Sequence, residues 1–397
     1  ALLGGLMNQV LVAGVGMVKF AKPGKQAPYR EMASEAVSDA LKDAGLNYSD
    51  VQQAFAGYIY GDSCSGQRAI YDVGMTGIPV VNVNNNCSSG SSAIYLARQA
   101  ILSGEVDCVL ALGFEEMPSG AIASQWDDRE SPFTIFDEAL DRLDYPAAPL
   151  ALRCFGAAGH SYMERYGAKP ELFAQVAVKT RNHAVNNPYA LFNTPLSLAE
   201  VMNSPMLYMN YLTRLMCCPP TCGAGAAIIC TEDFAKHHGI TRGVVIAGQS
   251  MATDKLDSFS DPMNLVGSSM TRQAATNAYS QAGIDAADVD VVELHDCFTT
   301  NEVLSYEALG LCSEGGASRF VADGDNTYGG KIVVNPSGGL MSKGHPIGAT
   351  GLAQCFELTT QLRGEAGARQ VAGAKVALQH NLGLGGAAVV TVYAKSV

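Results

Sequence analysis

One nine-residue pattern occurs twice in the chain. DAGLNYSDV at Asp43–Val51 is matched by QAGIDAADV at Gln281–Val289, each preceded by an Ala-rich amphipathic stretch and followed by an apolar run, AFAGYIYGD or VVELHDCF. A helix, turn and strand repeated in the same order imply a duplicated fold. A second correspondence runs beside the first: VVNVNNNCSSG and IVVNPSGGLMSKGHPIGATG each lead from β-branched residues into a helix. Strands alternating with helices in both halves imply mixed, mostly parallel sheets with helices packed on them. A chain of 397 residues is long enough for two such halves.

In order, Val10–Val18 reads as a buried strand. Its AGVG lacks the third glycine of a dinucleotide fingerprint, and Lys19-Phe20 follows instead of a helix start. Tyr29–Ala44 has helical apolar spacing and stops at Gly45. From Pro118 to Cys217 the rhythm breaks. The lone Trp126, the charges Asp127, Asp128, Arg129 and Glu130, and helical stretches at Gly159–Tyr166 and Leu172–Asn186 mark an insert expected to cover a substrate entrance. The first half resumes as a strand at Gly223–Cys230. These breaks divide the chain into 7–117 plus 218–242, an insert at 118–217, and 243–397.

A net charge of -12 argues against nucleic acid or an anionic membrane surface as the main partner. Eleven irregularly spaced cysteines read as reduced thiols in an intracellular compartment. The run CCPPTC at Cys217–Cys222 invites zinc, but no second pair or nearby His completes a tetrahedron, so no metal is expected. No apolar run reaches the ~20 residues of a membrane span. ALLGGL at the start is too short for a signal peptide, and the closing AKSV is not the peroxisomal SKL.

Four stretches carry the chemistry. In NNNCSSGS, Cys87 sits where a strand runs into a helix. There, unpaired N–H groups and the helix dipole favour thiolate and predict a lowered thiol pKa. ELHDCFTTNE holds His295 and Cys297 two residues apart, SKGHPIGATG holds His345 in a glycine-rich loop, and QHNLGLGGAA holds Gly383, Gly385 and Gly386. In three of them a reactive side chain ends a strand or fills a glycine-rich loop, a placement at the carboxyl ends of strands, where α/β sheets usually put their sites. One nucleophilic thiol, a second thiol, two imidazoles and a glycine loop suit acyl transfer coupled to carbon-acid chemistry. His345 is placed to take the proton of Cys87, Cys297 to handle a proton at carbon, and His295 to donate to a carbonyl oxygen. The N–H groups of Cys87 and of a glycine within Gly383–Gly386 are suited to an oxyanion hole.

These residues resemble the thiolase superfamily, in its sterol carrier protein 2 or sterol carrier protein x subgroup. The likeness runs from VGMVKF and MTGIPVVNVNNNCSSGS through VNNPY, ELHDCFTTNE, YEALGLC, GDNTYGGK and NPSGGLMSKGHPIGATGLAQC to LRGEAGARQV and HNLGLGGA. GHPIGATG is a thiolase form, and HDCF replaces the NEAF of ordinary thiolases. The second catalytic cysteine of those enzymes would fall at Gly383, and here it is displaced to Cys297. The resemblance implies an α/β fold of two duplicated βαβαβαββ halves in a five-layer αβαβα sandwich, with an inserted loop domain over a coenzyme A channel, and a homodimer. It implies Cys87 as acyl acceptor, His345 as its base, Cys297 as the acid and base at carbon, and His295 beside the thioester oxygen. The oxyanion hole would be formed by Cys87 and Gly385 with His295, and His380, Gly383 and Asn335 would support these groups.

The implied activity is that of an acyltransferase. It would cleave a 3-oxoacyl-CoA with coenzyme A as co-substrate and no other cofactor, giving acetyl-CoA or propionyl-CoA and a shortened acyl-CoA in fatty acid, branched-chain or sterol side-chain oxidation. The location would be the peroxisomal or mitochondrial matrix, or the cytoplasm of a bacterium. Lys179, Arg181 and Arg214 are candidate grips on the coenzyme A phosphates. Relatives usually carry Asp-Gly where this chain has Cys222-Gly223, a change expected to loosen that loop. The lipid-carrier domain that some relatives carry is not expected here. Two alternatives stand beside this reading: a ketoacyl-synthase-type condensing enzyme, and a catalytically weak thiolase-like protein that binds lipid or acyl-CoA.

Overall fold

The computed structural model describes residues 9–120 and 122–396. The stretch ALLGGL lies outside the described residues. Among the described residues, twelve strands run β1 (Val10–Met17), β2 (Gln53–Gly57), β3 (Val80–Val83), β4 (Cys108–Glu115), β5 (Met206–Tyr208), β6 (Leu212–Thr213), β7 (Gly223–Thr231), β8 (Val244–Ala252), β9 (Val291–Glu293), β10 (Val333–Val334), β11 (Val376–Gly383) and β12 (Ala387–Lys395). The two halves have the same order. Strands β3-β2-β4-β7-β1 form one and β10-β9-β11-β12-β8 the other, each with three parallel strands at its outer side and antiparallel pairings through β7-β1 or β12-β8 on the side where the halves meet.

The halves meet edge to edge. Leu11 and Val12 of β1 pair antiparallel with Val245 and Val244 of β8, so ten strands share one hydrogen-bonded ladder instead of two separate sheets. Equivalent strands of a duplicated unit meet this way across a twofold relation, and each covers the edge the other leaves open. The repeated nonapeptides fold alike. Tyr48–Asp50 and Ala286–Asp288 are short 3₁₀ turns, closed by Asn47 N–H donating to Asp50 Oδ2 at 2.9 Å and Asp285 N–H to Asp288 Oδ2 at 2.8 Å.

Helices Ser89–Leu102 and Thr350–Leu362 lie in the middle layer, in one core with side chains from the strands of both halves. Ile94, Ala97, Leu352 and Leu358 are fully buried there, and burying one such leucine or isoleucine side chain contributes about 1.5–3 kcal/mol. The helices approach closely because Gly90 faces Gly351, where a β-carbon would collide with the opposing backbone. Helix Tyr29–Ala44 covers the outer face of the first half, and helices Ser268–Ala282 and Thr299–Ala308 that of the second. Five layers result. The insert supplies helices Thr134–Arg142, Leu150–Tyr166, Pro170–Ala184 and Leu198–Met202 with the β5–β6 hairpin, and it shares its core with the second half. Phe155 of the insert stacks on Phe298, next to Cys297, with ring centroids 5.1 Å apart.

Candidate active site

The carboxyl ends of β3, β9, β10 and β11 converge between the halves, and each delivers one of the four stretches. Beyond β3, Asn86 takes a left-handed turn (φ 51°) and Cys87 follows, just ahead of helix Ser89–Leu102. Asn86 Nδ2 donates to Leu384 O at 3.1 Å, which draws the β11–β12 hairpin tip, with Gly385, onto the Cys87 turn. Past β10, Asn335 opens the loop that passes through helix Gly339–Ser342 to His345 and into helix Thr350–Leu362. Both central helices therefore begin at the site.

Cys87, His295 and His345 come together: the sulfur and one ring nitrogen of each histidine lie within 4.8 Å of one another. The imidazoles sit edge to face, centroids 5.1 Å apart. This is the set of three or more Cys, His, Asp and Glu ligand atoms grouped this closely among the described residues. Sulfur and two imidazoles would suit zinc, but the same atoms also make a nucleophile with two proton carriers. Cys297 is buried beside them, close enough for its charge and that of Cys87 to interact.

The expected depression of the Cys87 pKa does not hold. Cys87 is partly accessible, yet burial of its sulfur, followed by the Glu115 carboxylate, pushes the thiol up to about 12. These effects outweigh the helix dipole, so the thiol needs a base to lose its proton. Burial, and then Lys343, lowers His345 to about 3; burial, then His345 and His380, holds His295 well below the usual range. Both imidazoles are neutral at rest. Burial and the neighbouring Cys218, Cys87 and Asp296 raise Cys297 well above the ordinary thiol range.

The supports come from all sides. His345 Nδ1 is 2.6 Å from Thr350 Oγ1, and its Nε2 is buried without a hydrogen-bond partner. His295 Nδ1 lies 3.1 Å from Asn381 Nδ2, which also donates to Cys87 O at 3.0 Å. His380 Nδ1 accepts from His295 N–H at 3.4 Å, and Asn335 Oδ1 accepts from Leu294 N–H at 2.9 Å, so these two residues hold the backbone that carries His295. Gly383 is pressed against the Cys87 turn. Asp296 Oδ1 accepts from Leu340 N–H at 2.7 Å. It thereby ties the His295–Cys297 segment to the loop of His345.

Two sequence-based expectations are corrected, the phosphate grips Lys179 and Arg181 and the loosening of the loop at Cys222. Lys179 is buried, 2.6 Å from Glu302 and bonded to Val334 O at 3.0 Å; Arg181 is buried with its Nε on Ser342 Oγ at 3.1 Å, so neither faces solvent as a free phosphate grip. Only Arg214 of those three is exposed. CCPPTC is a wall of the site: Cys218 N–H donates to Cys297 O at 2.9 Å, and Thr221 Oγ1 accepts from His345 N–H at 3.0 Å. Cys222 does not loosen its loop, since its buried sulfur accepts from Met117 N–H at 3.2 Å and its thiol lies 3.5 Å from Met117 O.

Sequence reasoning missed Glu115, Thr350, Thr221 and Asn381. Glu115 ends β4 fully buried, accepting from Ile59, Tyr60 and Gly348 N–H groups at 3.1, 2.7 and 2.9 Å, and burial lifts it to about 7. A lone acid after an apolar strand gives no signal of that. Asn381 stood inside QHNLGLGGAA, where the glycines drew attention.

The chain matches the family model of the thiolase N-terminal domain over residues 10–200 and that of the thiolase C-terminal domain over residues 250–395. It is 54% identical over 394 residues to sterol carrier protein 2 of Oryctolagus cuniculus, covering 98% of this chain and 72% of that protein. To acetyl-CoA acetyltransferase of Methanothermobacter thermautotrophicus it is 35% identical over 400 residues, 98% of this chain and 100% of that one. Among solved structures, human mitochondrial 3-ketoacyl-CoA thiolase in complex with CoA matches with a TM-score of 0.73 at 18% identity, covering 98% of each chain. The Ltp2-ChsH2(DUF35) aldolase matches with a TM-score of 0.82 at 23% identity over the same shares. At these identities the two structures speak for the fold.

Proposed function

The chain belongs to the thiolase family and is an acyltransferase of the sterol carrier protein 2 kind, and on that footing we propose that it cleaves 3-oxoacyl-CoA with coenzyme A through an acyl group on Cys87. The observation that carries this reading is the meeting of the Cys87 sulfur with His295 and His345, with Cys297 buried alongside. His345 Nε2 takes the thiol proton as sulfur attacks the 3-oxo carbon. Charge on that oxygen is met by the N–H groups of Cys87 and Gly385. The bond between C2 and C3 then breaks, its electron pair leaving on the thioester enolate, whose oxygen His295 supports and whose carbon Cys297 protonates. Coenzyme A enters, gives its thiol proton back through the same bases, and carries the shortened acyl group away from Cys87.

Coenzyme A is thus co-substrate, and the reaction calls for no resident metal or other cofactor. The division into 7–117 plus 218–242, 118–217 and 243–397 places the thiols and imidazoles on the two halves and the insert beside them. A homodimer is supported by the open edge of β3, where Val81 is 43% and nearby Met75 75% exposed. No helix among the described residues is long and apolar enough to cross a membrane. Fatty acid, branched-chain or sterol side-chain oxidation, in the peroxisomal or mitochondrial matrix of a eukaryotic cell, is the setting the family resemblance implies.

Intact-mass measurement tests the intermediate. Incubation with a 3-oxoacyl-CoA should add one acyl group to Cys87, and coenzyme A should remove it. An adduct on another residue, or none, contradicts the proposal.

A further inference from the structure

Asn381 has two amide hydrogens and an acceptor for each. Its Nδ2 lies 3.0 Å from Cys87 O and 3.1 Å from His295 Nδ1, while its Oδ1 takes the Ser91 hydroxyl at 2.7 Å. The amide cannot be turned round. Cys87 O only accepts, so it must face Nδ2; Oδ1 then faces Ser91, whose hydroxyl donates to it while its oxygen accepts from Gln379 Nε2 at 3.0 Å. Gln379 is fixed in turn by donating to Gly351 O at 2.7 Å. His295 Nδ1 must therefore accept. Burial keeps this imidazole neutral, and a neutral imidazole with an accepting Nδ1 carries its one proton on Nε2.

His345 is connected the other way. Thr350 Oγ1, on the first residue of its helix, donates to Pro346 O in the preceding turn at 3.2 Å, which leaves it to accept from His345 Nδ1–H at 2.6 Å. The proton of His345 is on Nδ1, and its buried, unpartnered Nε2 holds a lone pair.

We propose that Asn381 is a positioning residue that sets the tautomer of His295, so that two adjacent imidazoles are held in opposite tautomers. His295 offers an N–H to a substrate oxygen, and His345 offers a lone pair to a proton. This assignment rests on the thiolase reading above. Without Asn381, His295 is free to carry its proton on Nδ1, and its Nε2 then turns a lone pair toward the thioester oxygen. Enolate formation loses a donor, whereas acyl transfer to Cys87 keeps its base and its backbone N–H groups.

The test compares the parent protein with Asn381→Ala in two half-reactions. One is acylation of Cys87 from an acyl-CoA, read by mass; the other is exchange of the methyl protons of acetyl-CoA with deuterated water. Exchange should fall roughly 100-fold further than acylation, the scale of losing one oxyanion donor. Equal losses in both would mean that Asn381 only props the Cys87 turn, and would overturn the proposal. Nitrogen-15 NMR of the parent needs no variant and decides the matter if Asn381→Ala does not fold. The His295 ring should show a protonated Nε2 and a bare Nδ1, and the reverse pattern overturns the assignment. A parent protein with neither acylation nor exchange would instead contradict the thiolase reading, while the NMR pattern still judges the tautomer.

Discussion

Gly383 lies directly against the carbonyl oxygen of Asn85, so closely that a β-carbon would collide with it and come within 2.9 Å of Ser88 Oγ. The end of β11 and the turn carrying Cys87 are thus one packed unit. Ordinary thiolases would have their second cysteine at this position, and in this backbone no side chain fits. Gly383→Ala should destabilise the protein by about 1–3 kcal/mol and slow acylation of Cys87. Gly383→Cys combined with Cys297→Ala should not restore proton exchange on acetyl-CoA; thermal unfolding and the exchange assay check both. Recovery of exchange would show that the turn yields.

Cys297→Ala should separate the two halves of the reaction. Cys87 should still be acylated by an acyl-CoA, while exchange of the acetyl-CoA methyl protons falls by roughly 100-fold or more, the usual scale for a lost acid or base. Retained exchange would remove Cys297 from that role.

Glu115→Gln should move the pH midpoint for alkylation of Cys87 downward. Burial sets most of the high thiol pKa, but the Glu115 carboxylate adds to it. Glu115 itself is raised to about 7, so in the parent it ionises as pH rises through neutrality and then opposes thiolate. Its folded value lies above its unfolded one, so its contribution to stability is greatest below pH 4.5 and is lost as pH rises through about 7. Iodoacetamide rates against pH measure the midpoint, and an unmoved midpoint would free Cys87 from Glu115.

Lys179→Met should cost about 3–5 kcal/mol of stability, because it leaves Glu302 charged and unpaired in the interior. The KM for coenzyme A should change little, since Lys179 points to Glu302 and Val334. A weakened coenzyme A interaction without loss of stability would return Lys179 to the role of a phosphate grip.

The fold was legible because the duplication is local. The repeated nonapeptide encodes a helix end, a 3₁₀ turn and a strand start, all within a few residues, and Gly45 and Gly283 both end their helices in the left-handed region. The stretches bearing Cys87 and His345 stood out because small residues and glycines surround them, and His295 and Cys297 because they stand two residues apart just past an apolar strand. The pKa of Cys87 was not legible. Its helix position is local, but the groups that oppose it, Glu115 and the enclosing second half, are distant in sequence. Lys179 and Arg181 looked like surface charge for the same reason, since Glu302 and Ser342 lie more than a hundred residues away. The roles of CCPPTC and Asn381 depend on contacts between segments that no periodicity announces.

The most direct measurement is coenzyme A-dependent loss of 3-oxoacyl-CoA, with short, medium and 2-methyl-branched chains, for the parent protein beside Cys87→Ala. The account predicts turnover on at least one substrate in the parent, with acetyl-CoA or propionyl-CoA as product, and none in Cys87→Ala. Turnover that survives the substitution, or its absence on every chain while acyl-CoA still binds, would contradict it.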